Sequence, residues 1–219
     1  MSLDPFFIYW CIAVIVIGII TTVMRGSSAV TKRLSALVGS FGWEAPRRIW
    51  WNGAWRGRWR GFPVELRHIG RQKNVPERLV LTVSATSPAR VSVSRRGGFL
   101  SKPLALFGPP LVEPMNLANR EQYWIRSDEL ALVERLFSRA DVAPEFERNL
   151  ISKFDAVKLQ TNRLRIVRAV DDRNVKQRFN RPLIKFGRDY ELIETIASEE
   201  WKLAVAIIEA LGLRGYEAG

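Results

Sequence analysis

The longest apolar stretch of the chain runs from residue 5 to residue 24 and contains no charged side chain. As a helix it would measure about 30 Å at ~1.5 Å per residue, which matches the hydrocarbon core of a bilayer. We predict a retained transmembrane anchor over residues 1–26, because residues 1–4 lack the Lys or Arg of a cleavable signal. Aromatic residues near the start of this stretch predict a membrane-interface belt: Phe6, Phe7, Tyr9 and Trp10.

Two small residues of the predicted anchor, Gly18 and Thr22, are four positions apart and therefore share one helix stripe. Pairs of this kind let helix backbones approach closely inside a membrane. We expect this stripe to pack against another transmembrane helix.

Residues 27–42 are predicted to form a juxtamembrane amphipathic helix. Their apolar residues recur at helical spacing: Val30, Leu34, Leu37, Val38 and Phe41. Two interpretations are open at this point. The apolar stripe lies on lipid headgroups, or it packs on the following domain or on a neighbouring subunit.

A β-rich section is predicted from residue 43 to residue 127, where apolar and polar residues alternate. Asn52-Gly53 predicts a two-residue hairpin turn. The strand after it is expected to continue to about His68 through a bulge at Gly61-Phe62-Pro63. Further strands are predicted at residues 78–84, 90–95, 104–107 and 122–125.

From residue 128 to residue 219 the pattern changes to a helix-strand-helix order. Helices are predicted at residues 128–140 and 144–154, strands at 156–160, 164–170 and 183–186, and a final helix at 189–211, which Gly212 ends. Residues 43–219 are then one basic α+β domain. The predicted fold class is α+β, with one N-terminal transmembrane helix, a juxtamembrane amphipathic helix and an antiparallel, hairpin-rich sheet.

The positive charge of the chain is concentrated in one half. The whole sequence has a formal net charge of +12, and from residue 25 to residue 126 there are 18 basic and 5 acidic residues. Residues 127–219 are balanced, with 16 of each. Basic flanks stay on the cytoplasmic side, so we predict an inner-membrane, single-pass protein with the N-terminus outside and the C-terminal domain in the cytoplasm.

Tryptophan and arginine are interleaved from residue 43 to residue 60, which holds five of the eight tryptophans. On a strand, Trp55 and Trp59 would share one face while Arg56 and Arg58 share the other. Three interpretations remain: contact with a membrane or partner, core tryptophans beside solvated arginines, and stacking on nucleic-acid bases. We favour the first and predict that one set of residues forms a partner or membrane interface: Trp50, Trp51, Trp55, Arg56, Arg58, Trp59 and Arg60.

Groups with recognisable chemistry are few. His68 is the only histidine, and the only cysteine, Cys11, lies within the apolar stretch, so we predict no metal site and no catalytic residue. The acidic doublets are expected to be structural or solvated, with Glu199-Glu200 on the exposed side of the final helix. The chain has no Walker-type or dinucleotide-binding glycine motif. We therefore predict no cofactor.

Together these features predict a non-enzymatic accessory subunit that docks on and stabilises a larger bacterial inner-membrane complex. Respiratory and photosynthetic complexes are the expected class, since single-helix subunits are frequent in them. The expected partners are integral membrane subunits, in a hetero-oligomer rather than a homo-oligomer, and anionic lipid, but no nucleic acid. The alternative is a free-standing membrane-anchored domain that binds anionic lipid headgroups or a small ligand.

Overall fold

The computed structural model describes residues 33–49, 54–69, 76–96, 109–114, 117, 120–170 and 189–215, together with residues 9 and 14. Within these ranges the chain is an α+β fold built on an eight-stranded antiparallel sheet. The predicted fold class is confirmed in this respect. The strands predicted at residues 104–107 and 183–186 lie outside the described residues.

The secondary structure follows the predicted order in part. The strands are β1 (Glu44–Ile49), β2 (Ala54–Trp59), β3 (Phe62–Ile69), β4 (Arg78–Val83), β5 (Ala85–Thr86), β6 (Val91–Arg95), β7 (Tyr123–Ser127), β8 (Ala156–Gln160), β9 (Arg163–Ala169) and β10 (Arg214–Gly215). The helices are α1 (residues 33–40), α2 (Leu130–Ser138), α3 (Val142–Asn149) and α4 (Asp189–Leu211). A 3-10 turn, Arg120–Gln122, precedes β7. The sequence pattern does not predict β5 or β10, and the strand predicted to continue to His68 is two strands, β2 and β3.

The large sheet has the strand order β1-β2-β3-β4-β9-β8-β6-β7. Its first four strands are consecutive hairpins, whereas β8 and β9 insert as a hairpin between β4 and β6. β5 and β10 form a separate two-stranded ribbon, which fixes the end of α4 beside the sheet. Residues far apart in the sequence thus become neighbours across β4, β9, β8 and β6.

The bulge predicted at Gly61 is a hairpin turn instead. Trp59 pairs directly with Phe62, so only Arg60 and Gly61 connect β2 to β3. Both have positive φ angles, 49° and 83°. Positive φ at both central residues defines the type I′ geometry, whose twist matches that of the paired strands.

The β1–β2 hairpin differs from its predicted register. Ile49 is opposite Ala54 and Arg48 is opposite Trp55, so four residues connect the strands rather than the two of Asn52-Gly53. A shift of two residues leaves every side chain on the same face of the sheet. The alternation of apolar and polar residues therefore cannot distinguish the two registers.

Helix α1 packs on the domain. Leu34 and Val38 are 1% and 0% exposed and belong to the hydrophobic core. Of the two interpretations of this amphipathic helix, the structure agrees with packing against the domain. The apolar stripe of α1 is thus not free to lie on lipid.

Aromatic rings hold α4 on the β1–β2 end of the sheet. The Trp201 ring stacks on Phe41 at 5.4 Å and meets the edges of Trp43 and Trp59 at 5.5 and 5.1 Å. Such pairs add about 0.5–1.5 kcal/mol each beyond the area they bury. This cluster joins α4, the end of α1 and the β2–β3 hairpin into one body.

Among the described residues, no helix combines the length and the apolar character needed to cross a membrane. The span predicted at residues 5–24 lies outside them, apart from Tyr9 and Val14, which are helical and 72% and 50% exposed.

Candidate docking face

The two faces of the large sheet differ sharply in chemistry. Residues directly opposite each other in an antiparallel pair point to the same face, so the register assigns each side chain. One continuous cross-strand row is apolar and buried: Trp55, Leu66, Leu81, Ile166, Val157, Val93 and Ile125. This row faces α4 and forms the core.

The opposite surface, which we call the open face, is strongly basic. Within the described residues, its strands carry nine basic side chains and two acidic ones, Glu44 and Glu65. The basic residues are Arg47, Arg56, Arg58, Arg67, Arg78, Arg126, Lys158, Arg163 and Arg165. Solvated positive charge at this density attracts an anionic surface.

One row of polar residues crosses the open face from β1 to β7. In strand order this central row is Arg47, Arg56, Glu65, Thr82, Arg165, Lys158, Ser92 and Arg126. At ~4.8 Å between strands, the row extends roughly 34 Å across the sheet. Six of the eleven charged residues named on the open face thus lie in one line across the sheet.

The β2–β3 part of the row contains guanidinium–carboxylate pairs. Nε of Arg56 donates to Glu65 at 2.5 Å, and Arg67 donates to the other Glu65 oxygen at 2.6 Å. Burial alone would raise the pKa of Glu65, but hydrogen bonds from Arg56 and Arg67 outweigh it and lower that pKa. Arg56 remains exposed and keeps part of its hydrogen-bonding capacity for a partner.

In the β8–β9 part of the row, no carboxylate among the described residues is paired with the cations. Lys158 lies directly opposite Arg165, and neither forms an ion pair within the described part of the chain. Burial lowers the pKa of the Lys158 ammonium, and the Arg165 charge lowers it further. The pKa of Arg165 is also lowered, by burial and by three arginines: Arg163, Arg78 and Arg67.

The structure separates the residues of the predicted tryptophan–arginine interface. Trp55 and Trp59 are 3% and 8% exposed in the core, so they cannot present their rings to a partner. Arg56 and Arg58 are exposed on the open face. The surface component of this segment is therefore its arginines, because strand alternation turns the tryptophans inward.

Arg60 lies at the β2–β3 turn, beyond the ends of the two strands, and its contacts are with the helical side of the sheet. It approaches Glu209 of α4 at 3.4 Å, and its guanidinium lies 4.8 Å from the centre of the Trp59 ring. Both contacts are at the surface, where such pairs contribute little to stability.

Several other predicted interface residues lie outside the described residues. These are Trp50 and Trp51 of the β1–β2 connection, Gly18 and Thr22 of the proposed helix-packing stripe, and Phe6, Phe7 and Trp10 of the membrane belt. Tyr9, the remaining belt residue, is helical and exposed.

The β8–β9 cations were not identified as interface residues from the sequence. Arg163 and Arg165 alternate with the buried Leu164 and Ile166, which is the pattern of a strand with one buried and one exposed face. That pattern predicts exposure but not the neighbours. Only the pairing of β9 with β4 and β8 brings these arginines beside Thr82 and Lys158.

The expectation that Glu200 is exposed is wrong. Its side chain is 0% exposed, and neither carboxyl oxygen has a hydrogen-bond partner among the described residues. Burial raises the pKa of Glu200 well above its ordinary value, the nearby Asp155 adds to this, and Arg168 opposes it. Glu200 lies seven residues from both Ile193 and Ile207, so helical spacing alone could have placed it on the buried stripe.

Asp155 and Arg168 complete this buried polar cluster. The Asp155 carboxylate accepts hydrogen bonds from the backbone N–H groups of Ile151, Ser152 and Ala169. Burial nevertheless raises the pKa of Asp155 to about 6. Arg168 pairs with Glu199 and lies on the core face of β9, so the cluster faces away from the open face.

His68 has a structural partner. Its Nε2 atom lies 2.5 Å from Oε1 of Glu77, and both side chains are partly buried at the end of β3 and the start of β4. Within the described residues, no group of three or more His, Cys, Asp or Glu side chains could hold a metal ion.

Comparison with known proteins identifies no family and one distant structural likeness. No family model matches the chain, and no curated protein matches it. Among solved structures, the crystal structure of the mycobacterial trehalose monomycolate transport factor A, TtfA, matches with 11% sequence identity and a TM-score of 0.43, over 86% of this chain and 98% of that chain. A likeness of this size carries no functional argument, so function has to be inferred from the residues of this chain.

Proposed function

We propose that this protein is a non-enzymatic, single-pass accessory subunit that docks its basic domain on an acidic surface of a larger inner-membrane complex. The observation that supports this best is the composition of the open face. Its described strands carry nine basic side chains and only two acidic ones. Complementary charge of this kind accelerates association and selects the partner.

The chemistry of the open face suits protein docking. Arginines are well suited to interfaces because the guanidinium binds carboxylates through two parallel hydrogen bonds. Arg47, Arg56 and Arg58 are all exposed. A width of roughly 34 Å, from eight strands at ~4.8 Å spacing, accommodates a protein interface of ordinary size.

The fold also supports a fixed orientation of this face. α1, which follows the proposed anchor, is packed into the core through Leu34 and Val38. The open face is thus joined rigidly to the helix nearest the anchor. A rigid connection lowers the entropy cost of docking, since the anchor and the face bind as one unit.

The test is co-purification of the full-length protein in mild detergent after Arg56, Arg58 and Arg60 are replaced by Gln. Replacement of an exposed residue such as Arg58 usually costs under about 0.5 kcal/mol of stability. Arg56→Gln also removes one of the two guanidinium donors to Glu65, but Arg67 keeps the other, so the domain should still fold. We expect the yield of the complex to fall and the remaining complex to dissociate at lower salt, because exposed charge pairs are screened.

A matched control removes the same number of charges elsewhere. Arg135 of α2, Lys202 of α4 and Arg214 of β10 are exposed, and none belongs to the open face. Their replacement by Gln should leave the yield and its salt dependence unchanged. Equal loss in the two triple variants would contradict docking through the open face and indicate only a general effect of net charge.

A further inference from the structure

Four side chains at the centre of the open face form a set of hydrogen-bond donors. In the central row, Thr82 is opposite Arg165, Arg165 is opposite Lys158, and Lys158 is opposite Ser92. Directly opposed Cβ atoms lie ~4.5–5.5 Å apart. Two cations flanked by two hydroxyls therefore lie side by side across four adjacent strands.

This arrangement is unfavourable without an anion. Like charges directly opposite each other destabilise a sheet. The charges that shift the pKa values of Lys158 and Arg165 are all cations, although one of them, Arg67, is itself paired with Glu65. Arg78 adds a buried Nε that has no hydrogen-bond partner among the described residues.

The donor set fits a phosphate group better than a carboxylate. An ammonium, a guanidinium and two hydroxyls supply donors from several directions, as a tetrahedral group with several acceptor oxygens requires. The β2–β3 part of the row shows the carboxylate arrangement instead, with Arg56 and Arg67 both bound to Glu65. The β2–β3 part of the row therefore already contains an anion, the Glu65 carboxylate, whereas no anion is paired with Lys158 or Arg165 among the described residues.

The cations around this donor set favour a phosphate that belongs to a charged surface over an isolated phosphate ion. Arg163 and Arg78 lie within electrostatic range of Arg165, and the line of cations continues to Arg126 on β7. One isolated phosphate ion would use only a fraction of this charge. A membrane leaflet with anionic headgroups presents such a plane, and its potential attracts clustered Lys and Arg.

We infer that Thr82, Arg165, Lys158 and Ser92 form a binding site for the phosphate of an anionic phospholipid headgroup. The inference rests on the proposed function only in that the anchor keeps the domain at the membrane. It adds a second kind of contact to the open face: carboxylates of a protein partner at the β2–β3 part, and a lipid phosphate at the β8–β9 part.

Lys158 provides a direct readout, because an amine reacts with acylating reagents only in its neutral form. The full-length protein is placed in nanodiscs of phosphatidylcholine alone or of phosphatidylcholine with phosphatidylglycerol. Acetylation rates of Lys158 and of the exposed Lys202 are then followed by mass spectrometry. We expect phosphatidylglycerol to slow the acetylation of Lys158 about tenfold, since a bound phosphate favours the charged ammonium, and to leave Lys202 unchanged.

The variant Arg165→Gln tests the site while keeping the lysine that reports on it. Protection of Lys158 should be largely lost in this variant, whereas the control Arg214→Gln should keep it. Protection that survives Arg165→Gln, or equal Lys158 rates in the two kinds of nanodisc, would overturn the proposed site. Equal protection by inorganic phosphate in phosphatidylcholine nanodiscs would overturn the assignment to lipid.

The outcome is independent of docking to a protein complex. Complex yield in the Arg56, Arg58 and Arg60 variant reports on the partner, while Lys158 protection in nanodiscs of the isolated protein reports on the lipid. An unchanged complex yield in the triple variant would contradict docking to a protein partner, and absent Lys158 protection would contradict the lipid site. Each result is read without the other.

Discussion

The indole Nε1 of Trp55 donates a hydrogen bond of 2.9 Å to the hydroxyl oxygen of Ser35. Trp55 lies in β2 and Ser35 in α1, so this bond joins the helix next to the proposed anchor to the sheet that carries the open face. The tryptophan is thus part of the internal connection between the two, while its neighbours Arg56 and Arg58 point outward.

Ser35→Ala should destabilise the domain by about 1 kcal/mol, because the indole N–H loses its partner in a partly buried position. Chemical denaturation of the full-length protein in detergent measures this. Ser40→Ala is the control in the same helix, since the Ser40 hydroxyl donates only to the exposed Leu37 carbonyl. An equal effect of the two substitutions would mean that the Trp55–Ser35 bond contributes nothing specific.

Glu199→Gln and Glu200→Gln should have opposite effects although the residues are neighbours. Glu200 is buried without a hydrogen-bond partner among the described residues, so Gln at this position should stabilise the fold by about 1 kcal/mol at pH 8. Glu199 pairs with Arg168, which is 9% exposed, so Glu199→Gln should cost about 2 kcal/mol. Thermal unfolding of both variants measures the signs, and two changes of the same sign would contradict this account of the cluster.

The same cluster predicts an unusual pH dependence. The folded-state pKa of Glu200 and that of Asp155, which is about 6, both lie above their unfolded values of 4.5 and 3.8. In that window the folded state binds more protons than the unfolded state, so the free energy of unfolding falls as the pH rises. We expect stability to decrease from about pH 4 through pH 6. Glu200→Gln should flatten this profile, and an unchanged slope would contradict the assignment.

Gly57→Ala should destabilise the β1–β2 hairpin. A Cβ at Gly57 would lie 3.1 Å from the Glu44 carbonyl oxygen and 3.3 Å from Cβ of Trp43. The backbone and the tryptophan of the aromatic cluster would have to move, at a cost of about 1–3 kcal/mol. Gly39→Ala is the control, because a Cβ there meets nothing within 4 Å. Similar unfolding midpoints for both variants would show that the Trp43 packing is loose.

Topology can be tested by proteolysis. Because the basic residues follow the predicted anchor, protease added outside intact spheroplasts should leave the domain uncut. Disruption of the membrane should make it accessible. Cleavage of the domain in intact spheroplasts would place the open face on the other side of the membrane and rule out docking on the cytoplasmic side.

Local sequence patterns predicted much of the fold. The bounds of α4, Asp189–Leu211, and its end at Gly212 with a φ of 60° agree with helical periodicity and a glycine cap. The inward tryptophans and outward arginines of β2 agree with strand alternation. In each case the signal lies within a few residues of the feature that it predicts.

Features that depend on partners distant in the sequence were not predictable. The central row joins Arg56 to Lys158 through the pairing of β4 with β9, about which no local pattern carries information. The register of β1 on β2 does not follow from alternation, because a shift by two residues leaves every side chain on the same face of the sheet. The charge of Glu200 favours an exposed position, and only its spacing from Ile193 and Ile207 indicates that it lies on the buried stripe.

The most direct test of docking through the open face is site-specific photo-crosslinking in intact cells. A photoreactive residue replaces Arg58 on the open face or, as the matched position, Lys202 on the exposed side of α4. We predict that the Arg58 position yields an adduct with one acidic integral membrane protein and that the Lys202 position does not. Adducts to that protein from Lys202 alone, or equal adducts from both positions, would contradict the account.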